Sequence, residues 1–293
     1  MTKVRLGANN LQPVAAIALF VHADRPEALE LAADLIDRLG ADGHEICLPP
    51  SSAGAAGRAD LARPDDRIGR ELDLAVSLGG DGSMLRAVTA VADHGVPVLG
   101  VNYGSLGYLT AIQPQAALGA VARFLAGEYR IEERIRLRCH LGDGQVVSAL
   151  NEAIVEKVDS GRTVNLAVHI DGEFFTSYAA DGLIAATPTG STAYSLSAGG
   201  PILAPTMHAV ILTPVAPHML FDRSLVLPPA SELVVRVLGD RSAAVAVDGR
   251  ELGRLEVGDS LTVTVSDKPA RLVTLSRRGF HQALKSTFGL ADR

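Results

Sequence analysis

The sequence predicts two domains: an open α/β domain with a mostly parallel sheet covered by helices, followed by a β-rich domain. Three observations predict this arrangement. Short apolar runs alternate with helical patterns over residues 1–127. Residues 128–277 instead show strand-like alternation, many β-branched residues and frequent turn signals. The length of 293 residues also fits two domains of about 100–200 residues each.

Strands and helices alternate along the first domain. Pro26 opens a helical pattern whose leucines recur near one face until Gly40. The polar stretch Ser51–Arg70 is predicted to be a surface loop. The predicted strands are Val14–Val21, Ile46–Leu48, Leu72–Leu78 and Val98–Val101, and further helices are predicted at Ser83–His94 and Gln115–Gly127. This order is typical of a parallel sheet with helical crossovers.

The second domain consists of predicted strands separated by turns. Asp171-Gly172, between two alternating runs, predicts a tight hairpin. The predicted strands are Ile131–Leu141, Val146–Glu156, Val164–Ile170, Phe174–Ala179, Ser224–Leu227, Leu233–Leu238, Ala243–Val247, Ser260–Thr264 and Ala270–Ser276. Ser191–Ala198 is predicted to be a short helix. We expect an amphipathic helix at Phe280–Leu290, within residues 278–293, to return to the first domain.

The composition excludes several classes of protein. Hydrophobic residues make up 47% of the chain and charged residues 20%, which is typical of globular and not of disordered chains. The net charge of −6 argues against a protein devoted to binding nucleic acid. Cys47 and Cys139 form no CxxC pair, which argues against a zinc cage or a thioredoxin-type site. With neither a signal peptide nor a membrane-length apolar run, we expect a cytoplasmic protein that binds no membrane.

A glycine-rich turn, Gly79-Gly80-Asp81-Gly82-Ser83, joins a predicted strand to a predicted helix. Ligands bind at this edge of open α/β sheets, and glycines let backbone N–H groups approach an anion at a helix N-terminus. A carboxylate repels phosphate, so Asp81 suits a base for a hydroxyl or a Mg²⁺ contact. The alternative is a plain strand-to-helix turn capped by Asp81 or Ser83.

Two polar segments in the second half are further candidates. Asp181–Pro201 crowds hydroxyl side chains around glycine turns and offers Tyr194 for stacking on a base. Asn151-Glu152 is a polar pair inside a strand-like stretch. The alternatives are an ordinary Ser/Thr-rich loop for the first and a solvent-facing edge-strand pair for the second. Neither segment decides the function alone.

Common nucleotide and hydrolase signatures are absent from the sequence. There is no GxxxxGK[ST], so the chain is not a P-loop NTPase. Leu85 stands where the dinucleotide-binding fingerprint requires its last glycine. Neither GxSxG nor HExxH occurs.

Taken together and in order, these segments resemble the NAD kinase family in its bacterial, ATP-dependent form, over nearly the whole chain. The segments are Gly79–Ser83, Asn102–Leu109, Ala149–Glu152, Asp181–Pro201 and Phe280–Leu290. The resemblance implies that NAD lies in a cleft between the domains. It also implies that the γ-phosphoryl group of ATP, with Mg²⁺, moves to the 2′-hydroxyl of the adenosine ribose.

The resemblance also assigns roles to residues of this chain. Asp81 matches the general base, and Asn151 and Glu152 match residues that hold adenine and ribose hydroxyls. Arg86, one helical turn after the glycines, could reach a phosphate or be a solvated surface cation, and the same choice applies to Arg162. The expected NAD- and ATP-binding residues are Gly79, Gly80, Gly82, Ser83, Arg86, Asn102, Asn151, Glu152, Arg162, Asp181, Thr189, Thr192, Ala193, Tyr194, Ser195, Leu196, Ser197 and Arg250. The metal ligands are not assigned.

The chain departs from the family pattern at several positions. Ser83 replaces a commoner threonine, Ala179-Ala180 stand where many relatives have a basic residue, and Arg250 stands where glutamine is frequent. The aromatic of the Asn102–Leu109 block is tyrosine rather than phenylalanine. These changes leave open the donor, ATP or polyphosphate, and the acceptor, NAD or NADH. The resemblance further implies a homodimer or homotetramer. The alternative functions are a diacylglycerol-type lipid kinase and a non-catalytic nucleotide sensor.

Overall fold

A computed structural model describes residues 5–7, 10–103, 109, 112–275 and 280–290. The chain forms two compact units. The first contains Met1–Glu133 and Ala270–Arg293, and the second contains Arg134–Pro269. The chain therefore leaves the first unit once and returns to it once.

The first unit is an α/β layer. Its strands are β1 Arg5–Gly7, β2 Asn10–Val14, β3 Ala16–Val21, β4 Glu45–Cys47, β5 Leu74–Gly79, β6 Pro97–Asn102, β7 Arg130–Arg134 and, from the end of the chain, β20 Ala270–Thr274. Its helices are α1 Pro26–Ala41, α2 Pro50–Ala55, α3 Asp81–Val91, α4 Ala117–Leu125 and α6 Phe280–Thr287, with 3₁₀ turns at Ala59–Leu61, Ala92–His94 and Pro114–Ala116. Strands β1 and β2 pair with each other, and six strands form one sheet in the order β4-β3-β5-β6-β20-β7.

The central strands of this sheet are parallel and fully buried. Strand β3 pairs in parallel with β4 and β5, and β6 pairs in parallel with β5 and β20. Continuous apolar runs such as Ala16–Val21 are typical of strands covered on both faces. Leu35, Val76, Leu99 and Val121 share one core, so helices α1 and α4 pack on the sheet. The predicted α/β fold of this part is confirmed.

Two predictions that concern the first unit were wrong in detail. The predicted loop Ser51–Arg70 contains most of helix α2 and the 3₁₀ turn Ala59–Leu61. Helix α2 begins with Pro50 at its first position, where proline is favoured, but its six residues are too short to show a helical period. The strand predicted at Ala270–Ser276 was counted with the β-rich half. The observed strand, β20, pairs with β6 in the first unit's sheet.

The second unit is antiparallel. Its strands are β8 Leu137–Leu141, β9 Val146–Ala149, β10 Glu152–Lys157, β11 Val164–Ile170, β12 Glu173–Ala180, β13 Gly182–Ala186, β14 Val210–Val215, β15 Leu225–Leu227, β16 Leu233–Leu238, β17 Ala243–Val247, β18 Arg250–Leu255 and β19 Ser260–Val265. A 3₁₀ turn, Gly190–Thr192, and a single helical turn, α5 Tyr194–Ser197, follow β13. The strands form two six-stranded sheets, in the orders β15-β14-β13-β10-β17-β18 and β12-β11-β16-β19-β8-β9.

Two long predicted strands of this half are each broken. Ile131–Leu141 divides into β7, in the first unit's sheet, and β8. Val146–Glu156 divides into β9 and β10, which belong to different sheets of the second unit. The sequence pattern does not reveal these breaks, because the apolar alternation continues across each of them. It continues because the strands on both sides of a break bury one face in a core. The hairpin predicted at Asp171-Gly172 is confirmed, since both residues have positive φ and Ile170 pairs with Glu173.

Each unit has its own apolar core. The core of the second unit brings together Leu137, Val155, Val168, Val235 and Val263, all of which lie within Arg134–Pro269. Within the described part of the chain, every helix is too short or too polar to span a bilayer.

Candidate active site

The glycine-rich turn lies at the carboxyl end of the parallel strand β5. Gly79 is the last residue of the strand, and Gly80 precedes α3 in extended conformation. A Cβ on Gly79 would lie 2.2 Å from the Ser83 hydroxyl oxygen and 3.3 Å from the His22 Cβ, so only glycine fits there. Asn102, buried at the end of β6, pairs with Gly79. The predicted strand-to-helix turn is therefore present.

Asp81 is the first residue of α3 and is half-buried. The backbone N–H groups of a helix's first turn lack helical partners and carry partial positive charge, which favours an anion beside them. The Arg86 side chain is exposed, and its Nη2 donates to the Ser51 hydroxyl at 2.9 Å, so it lies against helix α2. Gly104–Tyr108 of the expected binding block lie outside the described residues.

In the second unit, Asn151 and Glu152 lie where β9 gives way to β10. Asp248 holds this break: its Oδ2 accepts the Leu150 N–H at 2.7 Å, and its Oδ1 accepts the N–H groups of Asn151 at 2.8 Å and Glu152 at 3.1 Å. The backbone N–H of Asp248 donates to the Glu152 carbonyl at 3.0 Å. Burial raises the pKa of Asp248, against the opposing effects of the three N–H donors and of Arg136.

Glu152 is a buried acid with an unusual proton affinity. Its side chain is 6% exposed, and burial together with the neighbouring Asp248 charge raises its pKa to about 7, although the Tyr194 N–H donates to it. Its Oε2 is buried and has no hydrogen-bond partner among the described residues. A buried polar atom of this kind is costly unless something pairs with it, so a ligand hydroxyl is a suitable partner.

The glycine turn after β13 packs directly on this break. The Thr187 N–H donates to the Asn151 carbonyl at 2.8 Å, and its hydroxyl donates to the Leu150 carbonyl at 2.6 Å. The Thr187 hydroxyl also accepts the Gly190 N–H at 3.1 Å. A Cβ on Gly190 would lie 2.1 Å from the Asn151 carbonyl oxygen, so the approach requires glycine.

The predicted hydroxyl-rich segment divides into inward and outward side chains. Ser195 is buried, and its hydroxyl lies 3.0 Å from that of Thr213. Thr189, also buried, accepts a bond from Nη1 of Arg134 at 3.3 Å. Thr192, Ala193 and Leu196 are half-buried, whereas Tyr194 and Ser197 are exposed. The inward hydroxyls therefore hold the turn, and the outward group offers the surface that a ligand can reach.

Two other predicted residues lie away from this cluster, and a third, Arg250, directly follows the Asp248-Gly249 turn beside it. Asp181 precedes β13, and its Oδ1 lies 2.7 Å from Nζ of Lys157. Because Glu152 pairs with Ala186 at the other end of the β10–β13 ladder, Asp181 is separated from it by about 17 Å along the strands. Arg162 is exposed in the β10–β11 connection. Arg250 is exposed and opens β18, opposite Val247.

Comparison with known families decides the kinship. Residues 17–129 match the ATP-NAD kinase N-terminal domain, and residues 150–275 match the ATP-NAD kinase C-terminal domain. This chain belongs to the NAD kinase family.

Individual members of the family are similar in sequence to this chain over most of their length. The NAD kinase of Symbiobacterium thermophilum is 41% identical over 273 residues, which cover 92% of this chain and 96% of the relative. That of Ralstonia nicotianae is 39% identical over 274 residues, covering 91% and 90% of the two chains.

Solved structures of the family have the same fold. The crystal structure of yeast NADH kinase complexed with NADH superposes with a TM-score of 0.86 at 28% identity, over 97% of this chain and 90% of that one. An NAD kinase from Archaeoglobus fulgidus in complex with ATP gives a TM-score of 0.73 at 24% identity, over 94% and 99% of the two chains. At 24% identity, this second similarity is evidence for the fold and not for the function.

Sequence reasoning missed two residues that shape the site in this family member. Asp248 is not among the predicted site residues, and Thr187 is included only within the predicted segment Asp181–Pro201. The signal for Asp248 was available, because Asp248-Gly249 separates two alternating runs and is a strong hairpin dipeptide. No sequence signal shows that its carboxylate reaches back to residues 150–152, since that contact joins strands distant in the chain.

Proposed function

We propose that this member of the NAD kinase family transfers the γ-phosphoryl group of ATP to the 2′-hydroxyl of the adenosine ribose of NAD. The observation that carries the proposal is the Asp81 carboxylate at the N-terminus of α3, next to three glycines, at the carboxyl end of a parallel strand. Membership of the family and relatives that are named NAD kinase over more than nine-tenths of this chain support it. The yeast neighbour, which holds NADH, supports a pyridine dinucleotide as the acceptor.

Asp81 acts as the general base in this proposal. A ribose hydroxyl is a weak nucleophile, so a carboxylate within hydrogen-bond reach orients it and accepts its proton. The hydroxyl oxygen forms a bond to the γ-phosphorus, and the bond from that phosphorus to the bridging oxygen of the β-phosphate breaks. ADP leaves with the bonding electrons, and the proton remains on the Asp81 carboxylate.

The backbone N–H groups of the Gly79–Ser83 turn bind the phosphates in this proposal. Gly80 and Gly82 let N–H groups at the start of α3 approach anionic oxygens, and the helix N-terminus adds its partial positive charge. Arg86 is one helical turn further on, and its guanidinium donates to the neutral Ser51 hydroxyl. Its guanidinium can exchange that contact for a phosphate oxygen, which binds it more strongly.

The residues present fit a magnesium ion that arrives with the donor. Among the described residues, no group of three or more His, Cys, Asp or Glu side chains could cage a metal. Mg²⁺ in kinases is held by one or two carboxylates together with substrate phosphates, and Asp81 is the acidic side chain of the turn. When bound, the ion neutralises charge on the transferring phosphoryl group.

In the second unit, Asn151, Glu152 and the turn that contains Tyr194 bind the nucleoside in this proposal. The buried Oε2 of Glu152 accepts a bond from a ribose hydroxyl, and the Asn151 amide reads the edge of the base. Tyr194 is 38% exposed and can stack on the base, while Thr192 and Ser197 bond its polar rim. The shapes of the Gly79–Ser83 turn and of the turn after β13 are maintained by Gly79, Ser83, Asn102, Thr189 and Ser195. The surface is lined by Ala193 and Leu196. Arg250 acts beside the Asp248 turn, whereas Asp181 and Arg162 act on more distant parts of the dinucleotide.

The proposal includes three further points: a cytoplasmic location, a homodimer or homotetramer, and ATP rather than polyphosphate as the donor. A single coupled assay separates the chemical alternatives. Purified protein is mixed with Mg²⁺, one donor (ATP or polyphosphate) and one acceptor (NAD, NADH or diacylglycerol). Formation of NADP is measured with an NADP-specific dehydrogenase, and phosphorylated lipid is measured separately.

We expect ATP and NAD to give NADP, with Asp81→Asn lowering kcat by roughly 10²- to 10⁴-fold at nearly unchanged affinity for NAD. The control is Asp65→Asn, which alters an exposed carboxylate outside the turn and should leave turnover unchanged. Phosphorylation of lipid alone, or NAD binding without turnover, would overturn the assignment. Near-normal turnover of Asp81→Asn would overturn the role of Asp81 as base.

A further inference from the structure

The turn between β17 and β18 contains a carboxylate that bonds a distant backbone. Asp248 and Gly249 form a two-residue hairpin, with φ of 47° and 75°, between the paired residues Val247 and Arg250. Positive φ at both positions is the backbone of a type I′ turn, in which Asp-Gly is favoured. The turn chemistry alone explains the choice of Asp-Gly, but it does not require the carboxylate to point at residues 150–152.

That carboxylate meets three successive N–H groups at the break between two sheets. Leu150, Asn151 and Glu152 each donate to it, at 2.7, 2.8 and 3.1 Å. The carbonyl groups of Leu150 and Asn151 accept bonds from Thr187 on the other side. The backbone N–H and carbonyl groups of the break are thus bonded within the protein, which leaves the Asn151 amide and the Glu152 Oε2 for a ligand.

We propose that Asp248 is a positioning residue of the nucleotide site: its carboxylate fixes the backbone of residues 150–152 and thereby places the Asn151 amide and the Glu152 carboxylate. The inference rests on the proposed function, since it presumes that these two side chains bind the acceptor nucleotide. Asp248 touches no substrate in this scheme. Its effect reaches the substrate only through the segment that it holds.

Three titratable side chains, those of Arg136, Glu152 and Cys139, interact electrostatically with Asp248. Burial raises the pKa of Asp248, while its three N–H donors and the Arg136 charge oppose that rise; burial and the Asp248 charge together raise the pKa of Glu152. The thiol of Cys139 also experiences the Asp248 charge, which together with burial raises its pKa to about 12. The Asp248 carboxyl group therefore accepts three N–H donors, and negative charge on it makes deprotonation of Glu152 and Cys139 harder.

The test compares Asp248→Asn with Asp171→Asn. Asparagine tolerates positive φ and keeps one acceptor oxygen, so the turn can form while part of the N–H array is lost. Asp171 is a matched control because it sits in another two-residue Asp-Gly hairpin of this unit with positive φ at both positions, and its carboxylate accepts the Glu232 N–H at 2.8 Å. KM for NAD, KM for ATP, kcat and Tm are measured for both variants and for the unmodified chain.

We expect Asp248→Asn to raise KM for NAD by about 10- to 100-fold, with KM for ATP and kcat within about threefold, because displaced Asn151 and Glu152 side chains leave polar groups of the bound nucleotide unpaired. Asp171→Asn should lower Tm without moving KM for NAD. Equal losses of Tm in both variants, with KM for NAD unchanged in Asp248→Asn, would show that Asp248 only stabilises the fold.

Asp248→Glu provides a second variant that keeps the charge but moves the carboxylate by one methylene. We expect it also to raise KM for NAD, because the three N–H distances change. A KM for NAD equal to that of the unmodified chain would mean that charge rather than placement matters, and would overturn the proposal. If the unmodified chain fails to phosphorylate NAD, the proposed function fails first, so the two failures are distinguishable.

Discussion

Glu152 combines burial with a like charge nearby, and both favour its neutral form. Because its folded-state pKa is raised to about 7 from an ordinary value of 4.5, the folded chain retains a proton that the unfolded chain has released between these values. The stability contributed by this group is complete below pH 4.5 and is lost as pH rises towards and through 7.

Glu152→Gln removes that titration. Relative to the unmodified chain, we expect the free energy of unfolding of the variant to rise by about 2–3 kcal/mol between pH 5 and pH 8. Urea unfolding at both pH values measures it. A difference between the two chains that stays constant over this range would show that Glu152 titrates normally.

Tyr194 presents its ring on the surface of the hydroxyl-rich turn. A side chain that is 38% exposed does not fill a core cavity, so its removal should cost little stability. Tyr194→Ala should weaken NAD binding by roughly 5- to 150-fold, which corresponds to a stacking energy of about 1–3 kcal/mol, and Tyr194→Phe should weaken it far less. Calorimetric titration with NAD and thermal melting of both variants provide the measurement. A large fall in Tm with unchanged Kd for Tyr194→Ala would contradict the stacking role.

At the scale of elements, the close approach of the Gly190 turn to the β9–β10 break is the tightest constraint on the second unit's site. Gly190→Ala places a Cβ against the Asn151 backbone, and overpacking of this kind costs about 1–3 kcal/mol. We expect lower stability together with a raised KM for NAD, because the Asn151 segment must move. Chemical unfolding and steady-state kinetics measure the two effects.

Gly119→Ala is the matched control for that substitution. Gly119 lies inside the helix α4, is exposed, and a Cβ there would meet nothing within 4 Å. Alanine should therefore stabilise the chain by about 0.5–1 kcal/mol and leave KM for NAD unchanged. Stabilisation by Gly190→Ala would contradict the close contact.

The elements that could be predicted from the sequence are those with strong local signals. The Gly79–Ser83 turn combines an apolar strand, glycines and a helix start, and Asp171-Gly172 is a hairpin dipeptide; the structure has both. The break between β9 and β10 has no such signal, because Leu150 and Ala153 continue the apolar pattern across it. The pairing of β20 with β6 depends on the three-dimensional topology, which a local pattern does not encode.

The candidate site shows the same division. Asp81, Asn151 and Glu152 stand out as polar residues in apolar or glycine-rich surroundings, so the sequence alone nominates their segments as candidates. The use of Ser195 and Thr189 as internal bonding groups could not be foreseen, since a buried hydroxyl and a ligand-binding hydroxyl look alike in sequence. Their burial separates the two uses.

At the scale of the whole molecule, each unit contains a separate core, and the second unit is inserted between β7 and β20, which are neighbours in the first sheet. The Thr274 hydroxyl donates to the Arg130 carbonyl at 3.3 Å, so the two strands lie side by side. Replacing Arg134–Pro269 by a short Asn-Gly linker should therefore yield a first unit that folds alone.

We expect the excised chain to melt cooperatively, with the circular dichroism of an α/β protein and without NAD phosphorylation. Val76→Asp in the same chain is the control, because it places a charge at a fully buried core position and should abolish the transition. A gradual, non-cooperative melt of the excised chain would indicate that the first unit depends on the second.

The late arrival of β20 also has a consequence for synthesis. Residues leave the ribosome in order, so Ala270–Thr274 emerge only after the whole of Arg134–Pro269 has been made. Until then β6 lacks its neighbour on one side, and an unpaired strand edge is a template for pairing with other chains. The first sheet therefore lacks β20 until the end of synthesis, and we expect a chain truncated before residue 270 to aggregate more readily than the full chain.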